Sequence, residues 1–214
     1  MTADVSVGKR TGNVKATRAD WIDAARSKLD SVAIDELKIL TLAEDLSVSR
    51  SSFYWYFSGM AELQNELVKT WGDSTEAIVE RSHRPTDTIT TACLGVFECW
   101  ADTKLSDPPL EFAIRDWGRR NTGIAERVHD ADIARLEALA AMFGRHGFSE
   151  MDAMVRARLL YHSQLGYYLV GTNETTEMRL MFLPSYLVAL TGEEPTAEIL
   201  AAFSDYFREL SPSG

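Results

Sequence analysis

Four side chains between residues 49 and 54 combine a positive charge with small hydroxyls and a phenol. Ser49, Arg50 and Ser51 follow one another, and Tyr54 comes three residues later. An arginine can bond the edge of a guanine, a serine hydroxyl can bond bases of either strand, and a tyrosine can contact a phosphate. A short helix that presents these groups on one face suits the major groove of DNA. Further candidates for the same face are Ser52, Trp55 and Tyr56.

The residues around this group predict two short helices joined by a turn. The spacing of one helical face is found at Ile39, Leu42, Ala43 and Leu46. In the turn, residues 47–49, Val48 can fill the angle between the helices and Ser49 can cap the second helix by accepting a backbone N–H. Phe53 and Phe57 are four residues apart and can fold back onto the first helix. The alternative is a buried helical hairpin closed by an aromatic cluster.

The run LAEDLSVSRSSFYWYF, residues 42–57, resembles the helix-turn-helix of tetracycline-repressor-like (TetR family) transcriptional regulators. In that family an L-A-x-x-L-G-V-(S/T) turn leads into a recognition helix that ends in Y-x-x-F. The resemblance covers about residues 17–71 at the level of the motif. This chain departs from the pattern at Ser47, where the family usually has Gly, and at residues 58–60, where the family usually has a Lys. A strained turn geometry is therefore expected at Ser47, which is not a glycine.

The resemblance implies an all-α protein with an N-terminal three-helix DNA-binding head and a C-terminal helical ligand-binding and dimerisation body. Its implied partners are a double-stranded operator, a small-molecule effector and a second copy of the chain. A dimer places two heads about one DNA turn apart, ~34 Å, so the operator would be a pseudo-palindrome. The function implied is a repressor that the effector releases from DNA. The implied DNA-binding residues are Arg18, Ser49, Arg50, Ser51, Tyr54 and Tyr56.

The charge pattern divides the chain at the end of the motif. The formal net charge is −10, yet residues 1–58 hold eight Lys or Arg and eight Asp or Glu, so the excess of acid lies in residues 59–214. Four cations against one acid in the first 18 residues predict a flexible basic arm at residues 1–16 that can contact DNA. The predicted domains are this arm, a DNA-binding domain at 17–58, and a ligand-binding and dimerisation domain at 59–214.

The neutral head leaves a second function open. A helical ligand-binding or protein-interaction module that has lost DNA reading would also show these features. Ser47 in the turn and the missing basic residue after Phe57 favour that alternative.

Helical periodicity continues through the remainder of the chain, and no segment alternates at period two for long. Thr17 or Asp20 can cap a first helix whose apolar stripe reaches Val32. Thr86 or Asp87 can cap the helix that follows Pro85, and Ser149 can cap the helix that begins there. Pro184 lies inside a predicted helix, which it must kink or split. The predicted helical segments after the motif are 60–81, 87–100, 110–117, 124–145, 149–172, 178–190 and 196–210.

Large aromatic side chains with few polar groups predict a small-molecule pocket in the body, as the resemblance implies. Arg115 either binds an anionic ligand or pairs with Asp116 or another acid. For each single residue, packing in the core is the alternative role. The candidate ligand-binding residues are Phe97, Trp100, Phe112, Arg115, Trp117, Tyr161, Gln164 and Tyr168.

Two segments, 149–172 and 178–190, are apolar around much of their circumference. TetR-like proteins form a homodimer through two C-terminal helices of each subunit, and the resemblance assigns these segments that role. The alternative is that both segments fill the core of a monomer.

Motifs of other function classes are absent from the sequence. There is no Gly-rich phosphate loop, H-E-x-x-H, C-x-x-C or G-x-S-x-G, so the chain is not predicted to be an enzyme. The four histidines are scattered, and neither a metal site nor a cofactor is predicted. No apolar run of ~18 residues predicts a membrane span, and the N-terminus lacks an apolar signal core, so a cytoplasmic protein is expected. Cys93 and Cys99 are expected to be reduced, packed thiols.

Overall fold

The computed structural model describes residues 16–171 and 174–210. The predicted basic arm, residues 1–16, lies outside the described residues except for Ala16. In the described part the chain is helical and contains no β-strand, which confirms the predicted all-α class. The α-helices of that part are α1 (Arg18–Arg26), α2 (Ile39–Asp45), α3 (Arg50–Phe53), α4 (Met60–His83), α5 (Ile89–Ala101), α6 (Pro108–Gly118), α7 (Thr122–Arg145), α8 (Glu150–Val170), α9 (Thr176–Thr191) and α10 (Ala197–Leu210), with a 3₁₀ turn at Ile34–Glu36.

The chain divides into two compact units, Met1–Glu66 and Leu67–Gly214, here called the N-terminal unit and the C-terminal unit. The division falls inside α4. The first two turns of α4 therefore belong to the N-terminal unit, and its remaining turns belong to the C-terminal unit.

The N-terminal unit is built around an aromatic core. Phe53 is fully buried, with its ring centroid 5.1 Å from Trp21 in an edge contact and 5.1 Å from Phe57 in a stack. Leu42 is also fully buried, as its place on the predicted face of α2 requires. Trp21, Phe53 and Phe57 thus pack on one side of the helix-turn-helix, so Arg50 and Ser51 of α3 are left at the surface.

The first helix begins as predicted but ends early. Thr17 and Asp20 form a reciprocal capping box at its start. After Arg26 the backbone hydrogen bonds join residues three apart, as in the bond from the Leu29 N–H to the Arg26 carbonyl at 3.0 Å. The predicted apolar stripe therefore runs past the end of the α-helix into a tighter turn.

The C-terminal unit has a core to which α5, α7, α8, α9 and α10 contribute. Ser149 caps α8 as predicted, by accepting the N–H of Asp152, and Gly171 ends it with φ +63°. The cap of α5 is Thr88, not Thr86 or Asp87 as predicted. The core residues near the centre of this cluster include Cys93, Val96, Leu139, Phe143, Ala157 and Leu187.

Pro184 lies inside α9, which runs as one helix from Thr176 to Thr191, so of the two predicted outcomes, a kink or a split, the split does not occur. Proline has no N–H, so the carbonyl of Leu180 loses its helical hydrogen bond. Packing of the helix on both sides of Pro184 compensates, because Leu183 and Leu187 are buried in the core of the unit.

The turn between α2 and α3 requires a left-handed residue. Ser47 has φ +54°, and among the described residues it is the one non-glycine with positive φ. Its N–H bonds the Glu44 carbonyl at 3.0 Å, and the Val48 N–H bonds the Ala43 carbonyl at 2.9 Å. These two bonds form a Schellman motif, in which glycine is usual at the left-handed position. The geometry thus persists although the residue is serine, and the predicted strain in the turn is confirmed.

We expect Ser47→Gly to raise the free energy of unfolding by about 0.5–1 kcal/mol. Relief of the left-handed strain, ~1–2 kcal/mol, should exceed the entropy that glycine adds to the unfolded chain. Urea denaturation followed by circular dichroism measures the change. The matched control is Ser27→Gly, because Ser27 has φ −62° and should only lose stability. Equal destabilisation by both substitutions would contradict a strained turn.

Candidate functional site

The surface of α3 collects most of the polar groups expected to contact DNA. Arg50, Ser51 and Tyr54 are exposed, whereas Ser52 and Phe53 are buried. Tyr56 is half-buried. Trp55, the most exposed large side chain of this surface at 65%, lies beside Tyr54. The helix therefore presents a guanidinium, hydroxyls and aromatic edges outward over an aromatic core.

Ser49 lies at the N-cap position of α3, but its side chain makes no capping hydrogen bond, which corrects the predicted role. Its hydroxyl instead bonds the Ser51 hydroxyl at 2.8 Å. The hydroxyl of Ser52 donates to the Ser49 carbonyl at 2.6 Å. The two exposed hydroxyls of Ser49 and Ser51 therefore form a pair whose remaining donor and acceptor capacity faces solvent.

Arg18, a predicted phosphate contact, is engaged within the N-terminal unit. Its guanidinium pairs with Glu66 at 2.8 Å and lies 4.9 Å from the centroid of the Phe57 ring. The side chain remains 41% exposed. Arg18 thus contributes to packing α1 against the start of α4, and its charge is shared with a carboxylate.

The first turn of α4 carries an acid, Glu62, two residues after the stretch 58–60. The carboxylate of Glu62 accepts the Ser58 N–H at 2.7 Å and the Ser58 hydroxyl at 2.9 Å. These bonds lower the pKa of Glu62, with the backbone bond as the larger cause. A phosphate that bound at this helix start would have to displace the Glu62 carboxylate from the Ser58 N–H.

A cavity of about 550 Å³ lies in the C-terminal unit, a volume that is usual for sites of drug-sized molecules. Its wall is largely aromatic and aliphatic. Four of the predicted ligand-binding residues line it, namely Phe97, Trp100, Gln164 and Tyr168. The phenol of Tyr168 donates to the Trp100 carbonyl at 3.2 Å and bonds the Ser106 hydroxyl at 3.0 Å, so it also ties the wall to the α5–α6 connection.

Four other predicted ligand-binding residues, Phe112, Arg115, Trp117 and Tyr161, do not line this cavity. Arg115 pairs with Glu111 at 2.6 Å and, through two nitrogens at 2.9 and 2.6 Å, with Asp132. It is therefore bound to acids of the chain, which was one of the two predicted roles, although Asp116 pairs with Arg120 instead.

Arg115 belongs to a buried ionic network that the sequence did not indicate. Arg135 is 1% exposed and contacts Glu111 at 3.3 Å and the Tyr161 hydroxyl at 2.7 Å. The Tyr161 hydroxyl also donates to Asp132 at 2.6 Å, and burial raises the pKa of Tyr161. Burial opposes ionisation of Asp132, but hydrogen bonds from Arg115 and Tyr161 outweigh it and lower the pKa.

The indole of Trp71 completes the network from α4. Its Nε1–H donates to Glu111 at 2.7 Å, and the Arg135 guanidinium lies 5.4 Å from the Trp71 ring centroid. The network therefore joins α4, α6, α7 and α8 through charged or charge-assisted bonds.

Several residues of the cavity wall are not predicted from the sequence, because their helices contain no motif. α10 contributes Phe203 and Phe207, four residues apart and stacked at 5.8 Å. That spacing was the available signal, but it predicts any packed helical face equally well. The other unpredicted wall residues include Tyr167, Glu174, Arg179, Leu183 and Tyr186.

The described residues contain no cluster of three or more His, Cys, Asp or Glu side chains placed to hold a metal ion. Cys93 and Cys99 are free thiols, and burial raises the pKa of Cys93 to about 12. No helix in the described ranges is long and apolar enough to cross a bilayer.

The helix order and the two units define a TetR-like all-α fold. The structure is similar to that of Salmonella enterica GusR, a TetR-family regulator, over 94% of this chain and 98% of that chain, with a TM-score of 0.54 and 14% sequence identity. At that identity the likeness concerns the fold. No protein-family model matches the chain, and no curated protein matches it in sequence.

We expect Glu111→Ala to lower the free energy of unfolding by ~3 kcal/mol, because it leaves the buried Arg135 guanidinium without its principal carboxylate. Urea denaturation at neutral pH measures this loss. Asp116→Ala, on the same helix, removes the acid of the solvent-exposed pair with Arg120 and should cost less than ~1 kcal/mol. Similar losses for the two variants would show that the network does not stabilise the unit.

Proposed function

We propose that this protein is a dimeric, DNA-binding transcriptional repressor that a small-molecule effector releases from a pseudo-palindromic operator. The observation that carries the proposal is the N-terminal unit. A short helix follows a Schellman turn, its aromatic side chains are buried, and its cation and hydroxyls are exposed. This arrangement has the residue types and geometry of a major-groove reading helix.

In this proposal Arg50 and Ser51 contact base edges, and Tyr54 and Ser49 contact the phosphate backbone. Tyr56 is half-buried, and in this proposal its exposed part contributes to the same DNA-binding surface. Arg18 has a smaller direct role than its charge alone suggests, because Glu66 neutralises part of it. Its main effect on DNA binding is to hold the reading helix in place through Phe57.

The cavity of the C-terminal unit is the proposed effector site. An effector releases DNA only to the extent that it binds the DNA-free conformation more tightly than the DNA-bound one. The cavity has the volume and apolar wall for a tightly held organic molecule, and Gln164 and Tyr168 supply polar groups within it.

The faces of α8 and α9 support the proposed homodimer. Exposed large apolar side chains cluster on these two helices, which matches the segments 149–172 and 178–190 predicted from sequence. Met151, Leu169 and Val170 are each more than 70% exposed. Other members of this apolar face are Val155, Leu159, Met178, Met181, Phe182 and Tyr186. A concentration of exposed apolar side chains of this kind is typical of an association surface, and we propose that a second copy of the chain covers it.

Selection of genomic fragments by purified protein, at low and physiological salt, tests the DNA-binding part. We expect enrichment of fragments whose footprint is a pseudo-palindrome, with affinity that falls steeply as salt increases because phosphate contacts release counterions. The neighbouring genes then indicate the effector.

A second function, a ligand-binding or interaction module without DNA reading, is favoured by the acid at the start of α4. The Ser58 N–H donates to Glu62, and the Arg18 guanidinium pairs with Glu66. Both donors are therefore already bonded to carboxylates of the chain and are less available to a phosphate. Absence of fragment enrichment at either salt, from protein freed of copurified ligand by unfolding and refolding, would establish this second function over the first.

We expect Arg50→Ala to weaken operator binding by about 1–3 kcal/mol and to relax specificity at one base pair of each half-site. Binding to a set of single-base operator variants, measured by fluorescence anisotropy, shows whether the loss depends on sequence. Lys69→Ala removes an exposed cation of the C-terminal unit and serves as the matched control, with little change expected. An equal loss on all sequences would mean that Arg50 contacts only phosphate.

We expect Met181→Glu to convert the dimer to a monomer, because a carboxylate would be buried against the apolar face of the second copy. Sedimentation velocity at micromolar concentration measures the change. Ile133→Glu, an exposed apolar residue of α7 outside this face, should leave the dimer intact. An unchanged sedimentation coefficient for Met181→Glu would place the subunit interface elsewhere.

A further inference from the structure

The polar groups of the cavity wall are unevenly distributed. Of its lining residues, two carry formal charge, Glu174 and Arg179, and both lie at the end where α8 passes into α9. Tyr167 lies between them. Its hydroxyl donates to Glu174 at 3.0 Å, and the Arg179 guanidinium lies 5.1 Å from its ring centroid. The opposite wall, from α5 and α10, is aromatic and aliphatic.

The two charges at this end are not equivalent. Glu174 accepts a hydrogen bond from the Tyr167 phenol, so part of its acceptor capacity is used. Arg179 stacks on the Tyr167 face, and among the described residues no carboxylate lies within ion-pair distance of it. Its guanidinium N–H groups are therefore free to bind an anion. A guanidinium favours an oxyanion such as a carboxylate or sulfonate, because two oxygens of the anion can accept from two of its N–H groups.

We propose that the cavity binds an amphipathic organic anion, with its charged group at Arg179 and its apolar body between α5, α8 and α10. This inference rests on the proposed function, since it names the chemical class of the effector. A cationic ligand fits poorly, because Arg179 already covers the Tyr167 face that a cation would use. A neutral apolar ligand would fill the wall but gain nothing from Arg179, which is exposed at this end of the cavity.

Two fluorescent probes with the same aromatic body test the proposal. Anilinonaphthalene sulfonate carries the anion, and phenylnaphthylamine is the same ring system without it. We expect both probes to bind the intact protein with one site per chain and to compete with each other. The sulfonate should bind more tightly, and its advantage should shrink as salt increases.

Substitutions at the charged end separate the contributions of charge and apolar wall. Arg179→Gln should weaken the sulfonate about five- to tenfold and change the neutral probe less than about twofold. Glu174→Gln keeps an acceptor for the Tyr167 phenol and should strengthen the sulfonate while leaving the neutral probe unchanged. Arg158→Gln is the matched control, because Arg158 is an exposed cation of α8 that does not line the cavity.

The outcomes distinguish this inference from the proposed function. If the neutral probe binds as tightly as the sulfonate, or if Arg179→Gln affects both equally, the anionic class is wrong and the effector site stands. If neither probe binds with one site per chain, the inference and the effector site fall together. DNA binding is judged separately by fragment selection, so its success or failure does not depend on either probe.

Discussion

The buried guanidinium of Arg135 constrains the packing of the C-terminal unit. A desolvated charge is tolerated only where carboxylates and hydroxyls meet it with good geometry. Here those groups come from different helices, Glu111 from α6 and Tyr161 from α8, with Asp132 from α7 bound through Tyr161. Displacement of α6 would leave Arg135 without Glu111, and displacement of α8 would take the Tyr161 hydroxyl from both Arg135 and Asp132. The network therefore restrains the relative positions of these helices in addition to apolar packing.

This constraint gives the cavity one well-defined wall. α8 carries both Tyr161, in the network, and Tyr168, in the cavity. The phenol of Tyr168 holds Ser106, two residues before α6 begins, and α6 carries Glu111. A ligand that takes the Tyr168 phenol must compete with Ser106 for it. The polar contacts of the cavity and the ionic network are therefore linked through α8 and the α5–α6 connection.

The sequence predicted the elements whose local chemistry is strong. The capping residues Thr17 and Ser149 and the Phe53 and Phe57 pair lie where periodicity and caps placed them, and Ser47 takes the strained conformation that its place in the motif requires. The ionic network could not be predicted, because its members are spread over residues 71 to 161. No local pattern links a buried arginine to acids on other helices. For the same reason the sequence places Arg115 and Tyr161 in a cavity that they do not line.

Pro184 gives α9 a place at which it can bend without further loss of backbone bonding. The carbonyl of Leu180 already lacks its helical partner, so a change of helix curvature there breaks no hydrogen bond. Leu180 and Leu183 both line the cavity, and α9 also contributes Arg179 and Tyr186 to its wall. The wall that α9 forms can therefore adjust to the thickness of what it encloses. A cavity with one rigid wall and one pliable wall suits recognition of a family of related molecules more than of a single one.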